Sequence, residues 1–178
     1  GQTWMYNVAY DNGGLAQANK FAQSYTAYST NSQLYNAIEV FKQVLKIEPK
    51  ITYTYNWFLL GKGYEKLERY SDAVDAYLQQ LKIAPKDERT LLHLGNSYYN
   101  LTRYDDALEA YRQIVKINDE NNEVWFKIGV TCDALERHND AIGAWRQVLK
   151  ITPDDPYAWA NLAHSYMALT RNSDAIDA

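Results

Sequence analysis

With one cysteine, Cys132, among 178 residues, the chain has no partner for an intramolecular disulfide. It contains no apolar run near the ~18–20 residues that a membrane span needs. Nor does a basic-then-apolar leader stand at its start. The missing leader makes the cytoplasm the expected location; the first residue is Gly1 rather than Met, which leaves the periplasm and the exterior open. Cations are not in surplus: 18 Lys+Arg face 22 Asp+Glu, a formal charge of −4. A dedicated nucleic-acid binder needs the opposite balance, because phosphate contacts are made by Lys and Arg.

Catalytic and cofactor motifs are lacking too. There is no Gly-x-Ser-x-Gly and no His-Glu-x-x-His. Gly61-Lys62-Gly63 lies inside a periodic helical stretch, not after a strand, and lacks the spacing of a phosphate loop. Of the histidines, His138 falls in a turn column shared with Tyr70 and Tyr104, which reads as packing. His93 and His164 lie two repeats apart, too far to share a zinc ion at ~2 Å. Cys132 reads as a small buried hydrophobe. Acidic pairs such as Glu65/Glu68 and Asp105/Asp106 read as solvated or capping residues. The expectation is a protein that is not an enzyme and needs neither metal nor cofactor.

What is present is a globular composition, 47% hydrophobic and 22% charged, unusually rich in aromatics at 14%. A period of 34 residues organises it. Leu60-Gly61, Leu94-Gly95, Ile128-Gly129 and Leu162-Ala163 recur at that interval. Trp57, Leu91, Trp125 and Trp159 precede them by three places; Tyr64, Tyr98, Cys132 and Tyr166 follow the small residue by three. Ala73, Ala107, Ala141 and Ala175 keep the period, with Tyr77, Tyr111 and Trp145 four residues on. Trp57, Leu60, Gly61 and Tyr64 are spaced i, i+3, i+4, i+7, which is one face of a helix. Ala73, Tyr77 and Leu81 make a second such stripe, so each period holds two helices.

Ser71, Asp105, Asn139 and Ser173 share a column that is expected to cap the second helices. Asp72, Asp106, Asp140 and Asp174 follow, where the helix dipole favours a carboxylate. First helices are expected after Asp87, Asn121 and Asp155, with Pro156 at a first helical position. The small column is expected to permit close helix approach, with the alanines of the second helices facing it. Trp57, Trp125 and Trp159 are expected to supply large buried area, and Trp125→Ala to cost about 3–5 kcal/mol.

These columns resemble the tetratricopeptide repeat: a large residue, Leu-Gly, Tyr, then Ala, an aromatic and Pro. The resemblance covers roughly residues 15–178 and implies an all-α, right-handed superhelical solenoid of antiparallel helix pairs. Residues 1–14 read as a strap or lead-in, with Trp4, Tyr6 and Tyr10 able to fill a groove in cis. Residues 15–53 form a degenerate first repeat, in which Ala37, Phe41 and Leu45 mark the second helix. In its first helix, Phe21-Ala22 with Tyr25 takes the Leu-Gly-Tyr place or Phe21 takes the Trp place; the first is preferred, because a Tyr would block close approach. Units 54–87, 88–121 and 122–155 match fully, and 156–178 is a partial terminal repeat whose second helix has just begun. An exposed apolar strip, prone to self-association, is expected there.

In this family the first helices line a concave groove that receives a peptide, so the resemblance implies a non-enzymatic protein-interaction module. Groove positions carried onto this sequence are Tyr55, Phe58, Lys62, Arg89, His93, Asn96, Tyr99, Phe126, Lys127 and Asn161. Exposed aromatic anchors and a modestly basic centre would suit a peptide with an apolar anchor and acidic or carboxylate groups. Phe58 and Leu92 stand where the family's chaperone-tail clamp begins with Lys, so that specificity is not expected. The column Leu59, His93, Lys127, Asn161 is no asparagine ladder. Two rival roles are a self-associating scaffold, with homo-oligomers as its form, and a regulatory segment of a larger protein.

Overall fold

The i, i+3, i+4, i+7 stripes fold as helices wherever the structure, a computed structural model, describes the chain: residues 30–47 and 56–176. Eight helices and no strand occur among the described residues: α1 (Asn31–Ile47), α2 (Asn56–Lys66), α3 (Tyr70–Ile83), α4 (Glu88–Asn100), α5 (Tyr104–Val115), α6 (Asn122–Ala134), α7 (His138–Ile151) and α8 (Pro156–Ile176). The strap, the first helix of the degenerate repeat and Tyr55 lie outside the described residues. Two compact units divide the chain, one through His93 and one from Leu94.

First helices begin as their residue types dictate. Asn121 Oδ1 accepts the Val124 N–H at 3.2 Å, and Asp155 Oδ1 accepts those of Tyr157 and Ala158 at 2.9 and 3.0 Å. Asp87 Oδ2 accepts the Thr90 hydroxyl at 2.6 Å.

The second helices start otherwise than expected. They open at Tyr70, Tyr104 and His138, and the cap positions are Arg69, Arg103 and Arg137, none with a side-chain cap bond. Ser71, Asp105 and Asn139 fall inside the first turn. The cause is the way the first helix ends. Glu68, Thr102 and Glu136 take left-handed φ values of 57°, 58° and 57°. The next N–H, of Arg69, Arg103 or Arg137, reaches back to the carbonyl of Tyr64, Tyr98 or Cys132 at 2.9 Å. This is a Schellman closure, and it carries the side-chain contact typical of one: the Arg69 and Arg103 guanidinium groups lie 4.7 and 4.5 Å from the Tyr64 and Tyr98 ring centroids. The same arginines hold Asp72 and Asp106 at 2.7 Å. An arginine-led turn thus replaces the expected hydroxyl or carboxamide cap.

The core also differs from expectation. Among the largest fully buried side chains are Tyr77, Tyr111 and Trp145, the aromatics of the second helices. Trp57 and Trp125 are half-buried, and Trp159 is 55% exposed. These tryptophans sit where a first helix meets the preceding loop: Trp125 Nε1 donates to the Asp119 carbonyl at 2.7 Å, and Trp159 Nε1 to that of Pro153 at 2.8 Å. The small column faces the second-helix aromatics, not the alanines. A Cβ on Gly61 or Gly95 would strike the Tyr77 or Tyr111 ring, and one on Gly129 would come within 2.6 Å of Trp145 Cε2. Glycine is required here for close approach, at a helix-propensity cost of about 1 kcal/mol each.

In the last repeat, no second helix is separated from the first among the described residues. The expected turn near Thr170 is absent, and α8 continues through it to Ile176.

Candidate functional site

Each buried second-helix aromatic carries a polar tip, and a buried O–H or N–H needs an acceptor. The first helix supplies it. In the first unit Tyr77 donates its hydroxyl to Glu65 Oε2 at 3.1 Å. In the second, Tyr111 donates to Asn96 Oδ1 at 2.8 Å and Trp145 Nε1 to Asp133 Oδ2 at 2.9 Å. The core thereby anchors polar groups on the first-helix surface.

In the first unit Glu65 is the hub. His93 Nδ1 lies 3.1 Å from its Oε2, and Lys62 Nζ 3.3 Å. The His93 ring stacks on Tyr77 at 5.9 Å between centroids and meets Phe58 edge-on at 5.4 Å. Phe58, expected as an exposed anchor, is 8% exposed and packs inside this cluster. Lys62 and His93 are half-buried, and Arg89 is exposed with Asp87 at 3.8 Å. The basic centre expected from the sequence is therefore corrected: Lys62 and His93 face Glu65, and Arg89 faces Asp87.

Burial works against the charged form of Glu65, yet His93 and Lys62 outweigh it and hold the carboxyl below its ordinary value of 4.5. A depressed carboxyl pKa contributes stability that is complete above that ordinary value. The contribution is lost as pH falls through the lower folded value. Glu65→Gln is expected to lower stability by about 1–3 kcal/mol at neutral pH. In urea titrations the gap between variant and parent should close as the solution is acidified below the ordinary carboxylate range.

In the second unit Asn96, Tyr99, Phe126, Lys127 and Asn161 are all half-buried. Tyr99 packs on Tyr104 at 5.1 Å between centroids, and Phe126 meets Trp145 edge-on at 5.0 Å. With Oδ1 of Asn96 held by Tyr111, its Nδ2 is the group left for a ligand. Asn161 Nδ2 turns back to the Tyr157 carbonyl at 2.9 Å, and Lys127 lies 3.8 Å from Glu123. Asp133 accepts from Ser165 at 2.8 Å as well as from Trp145, tying α6 to α8.

Glu65, which the sequence offered as a solvated or capping acid, and Asp133, which it did not single out, are the anchors of the surface. One signal was available: each stands twelve places before its aromatic partner. No group of three His, Cys, Asp or Glu residues that could hold a metal assembles among the described residues. Cys132 is buried, and burial pushes its thiol up to about 11, far from a reactive thiolate.

Two tetratricopeptide repeat family models match the chain, at residues 57–89 and 92–156. The chain belongs to the tetratricopeptide repeat family. Its role is accordingly protein interaction or scaffolding, and its fold is typically that of a non-catalytic module. No curated protein matches the sequence. Among solved structures, a MamA protein is similar with a TM-score of 0.78 and 19% identity, over 92% of this chain and 86% of that one. A MamA structure from AMB-1 gives 0.73 and 21%, over 91% and 87%. A tetratricopeptide repeat protein from Parabacteroides merdae gives 0.76 and 18%, over 88% and 60%. At these identities the likeness is one of fold. No helix among the described residues is long and apolar enough to cross a membrane.

Proposed function

We propose that the chain binds a segment of a partner protein on the first-helix surface of its second unit. Asn96 and Tyr99 on α4, Phe126 and Lys127 on α6 and Asn161 on α8 make the contacts. One observation carries the reading: all five side chains are half-buried, neither core nor freely solvated. Half-buried aromatics with fixed polar neighbours lose little entropy on binding, which favours recognition. With the nearby cation Lys127 close to Glu123, the surface suits a segment with an apolar or aromatic anchor and backbone carbonyls for Asn96 Nδ2. Strongly acidic groups are not required of it.

Peptide display against the purified chain tests this, with Lys127→Ala/Asn161→Ala as the comparison protein. Enriched peptides should bind the comparison protein about tenfold more weakly. Peptides indifferent to both substitutions would place recognition elsewhere.

A further inference from the structure

Asp133 stands two 34-residue periods after Glu65, as Trp145 does after Tyr77. Each carboxylate holds the polar tip of its buried aromatic, at 3.1 Å in the first unit and 2.9 Å in the second. Their access to solvent is nearly equal, with 16% of the Glu65 side chain exposed and 18% of the Asp133 side chain. Their charge balance is not. Glu65 has Lys62 Nζ at 3.3 Å and His93 Nδ1 at 3.1 Å. The residues at those two places in the second unit are Val130 and Asn161, neither able to carry charge. Among the described residues no Lys or Arg pairs with Asp133; its donors are Trp145 Nε1, the Ser165 hydroxyl at 2.8 Å and His138 Nδ1 at 3.4 Å. Neutral donors support the charge of a half-buried carboxylate but do not cancel it.

The three bonds also divide the carboxylate. Oδ1 takes Ser165 and His138, and Oδ2 takes Trp145 alone. With two acceptor sites on each oxygen, one remains, on Oδ2. An arginine fork needs both oxygens and has no place there; a single ammonium does. Lys62 demonstrates such a pairing in the first unit. The i, i+3 step from Lys62 to Glu65 is the step from Val130 to Asp133, and the valine side chain carries no cation to it. Phe126 touches the same indole that donates to Asp133, so an apolar anchor on Phe126 and an ammonium on Asp133 suit one short segment. The chain's formal charge of −4 also favours a cationic segment.

We infer that Asp133 sets the specificity of this surface by taking the side-chain ammonium of a lysine in the partner segment, in the place that Lys62 fills in the first unit. The inference rests on the partner-segment reading of the second unit.

Peptides selected by display against the parent chain are the probe, measured at about pH 8, where an ordinary histidine is neutral. They should carry a lysine near an apolar residue. Replacing that lysine with norleucine should weaken binding about tenfold or more, and arginine should not restore it. Added salt should weaken the lysine peptide and spare the norleucine one. Asp133→Asn keeps an oxygen for Trp145 and should melt as the parent does, yet bind both peptides alike. Val130→Lys leaves Asp133 in place and supplies the cation from within, so it too should erase the lysine preference, whereas Val130→Met should keep it. Peptides that need Lys127 and Asn161 but carry no lysine overturn the inference and leave the binding surface standing. So does a lysine preference that survives both Asp133→Asn and Val130→Lys. A lysine preference that depends on Asp133 in peptides indifferent to Lys127→Ala/Asn161→Ala removes those two contacts and keeps the ammonium site. No enriched peptide from the folded chain overturns both.

Discussion

Replacing Trp145 with alanine is expected to remove about 3–5 kcal/mol of stability. The indole is fully buried, lies on Gly129, meets Phe126 edge-on and donates its N–H to Asp133. Its removal leaves a large void, since the α6 backbone opposite it cannot collapse inward. It also takes the indole donor from the half-buried Asp133 carboxylate, which keeps Ser165 at 2.8 Å and His138 Nδ1 at 3.4 Å. Trp159→Ala, at a 55% exposed position, should cost well under that, about 1 kcal/mol, chiefly its bond to the Pro153 carbonyl. Chemical denaturation of both variants gives the comparison. Equal losses would refute the assignment of the core to the second-helix aromatics.

Gly129→Ala is expected to destabilise by about 1–3 kcal/mol although alanine is the better helix former. The new methyl meets Trp145 Cε2 at 2.6 Å, and neither the buried ring nor the helix backbone can yield cheaply. In a Trp145→Leu background the clash is gone, so the same substitution should become neutral or stabilising by up to about 1 kcal/mol. This change of sign in a double-mutant cycle is the signature of direct contact. Gly143→Ala provides the reference. Its Cβ would meet nothing, so it should stabilise by about 0.5–1 kcal/mol. A Gly129→Ala cost that persists without the indole would locate the constraint in the backbone instead.

Much of the fold was legible because apolar spacing and cap chemistry are local. The stripe Trp57, Leu60, Gly61, Tyr64 marked α2, and Asn121 and Asp155 marked the starts of α6 and α8, each through bonds spanning no more than three residues. The second-helix starts were misplaced by the same local reasoning. Ser71, Asp105 and Asn139 are good cap types, but the closure of the preceding helix at Glu68, Thr102 and Glu136 uses the arginine that follows, and that competition is decided by the turn's geometry.

The candidate site was less legible. Phe58 and Phe126 belong to one sequence column, yet one is buried against His93 and Tyr77 and the other is half-buried against Trp145. Lys62 and His93 looked like a basic centre because Glu65 was read as solvated. Only the packed helices bring one carboxylate within 3.3 Å of both.

By itself the sequence determined the family, the helical pairing and its 34-residue period, because periodicity, small residues and caps act over one or two helical turns. Tertiary structure decided which aromatics form the core and which polar groups the first helices supply to their tips. Burial, and the approach of His93 to Glu65, depend on side chains from different helices, and residue type in a repeat column does not say which neighbour reaches it.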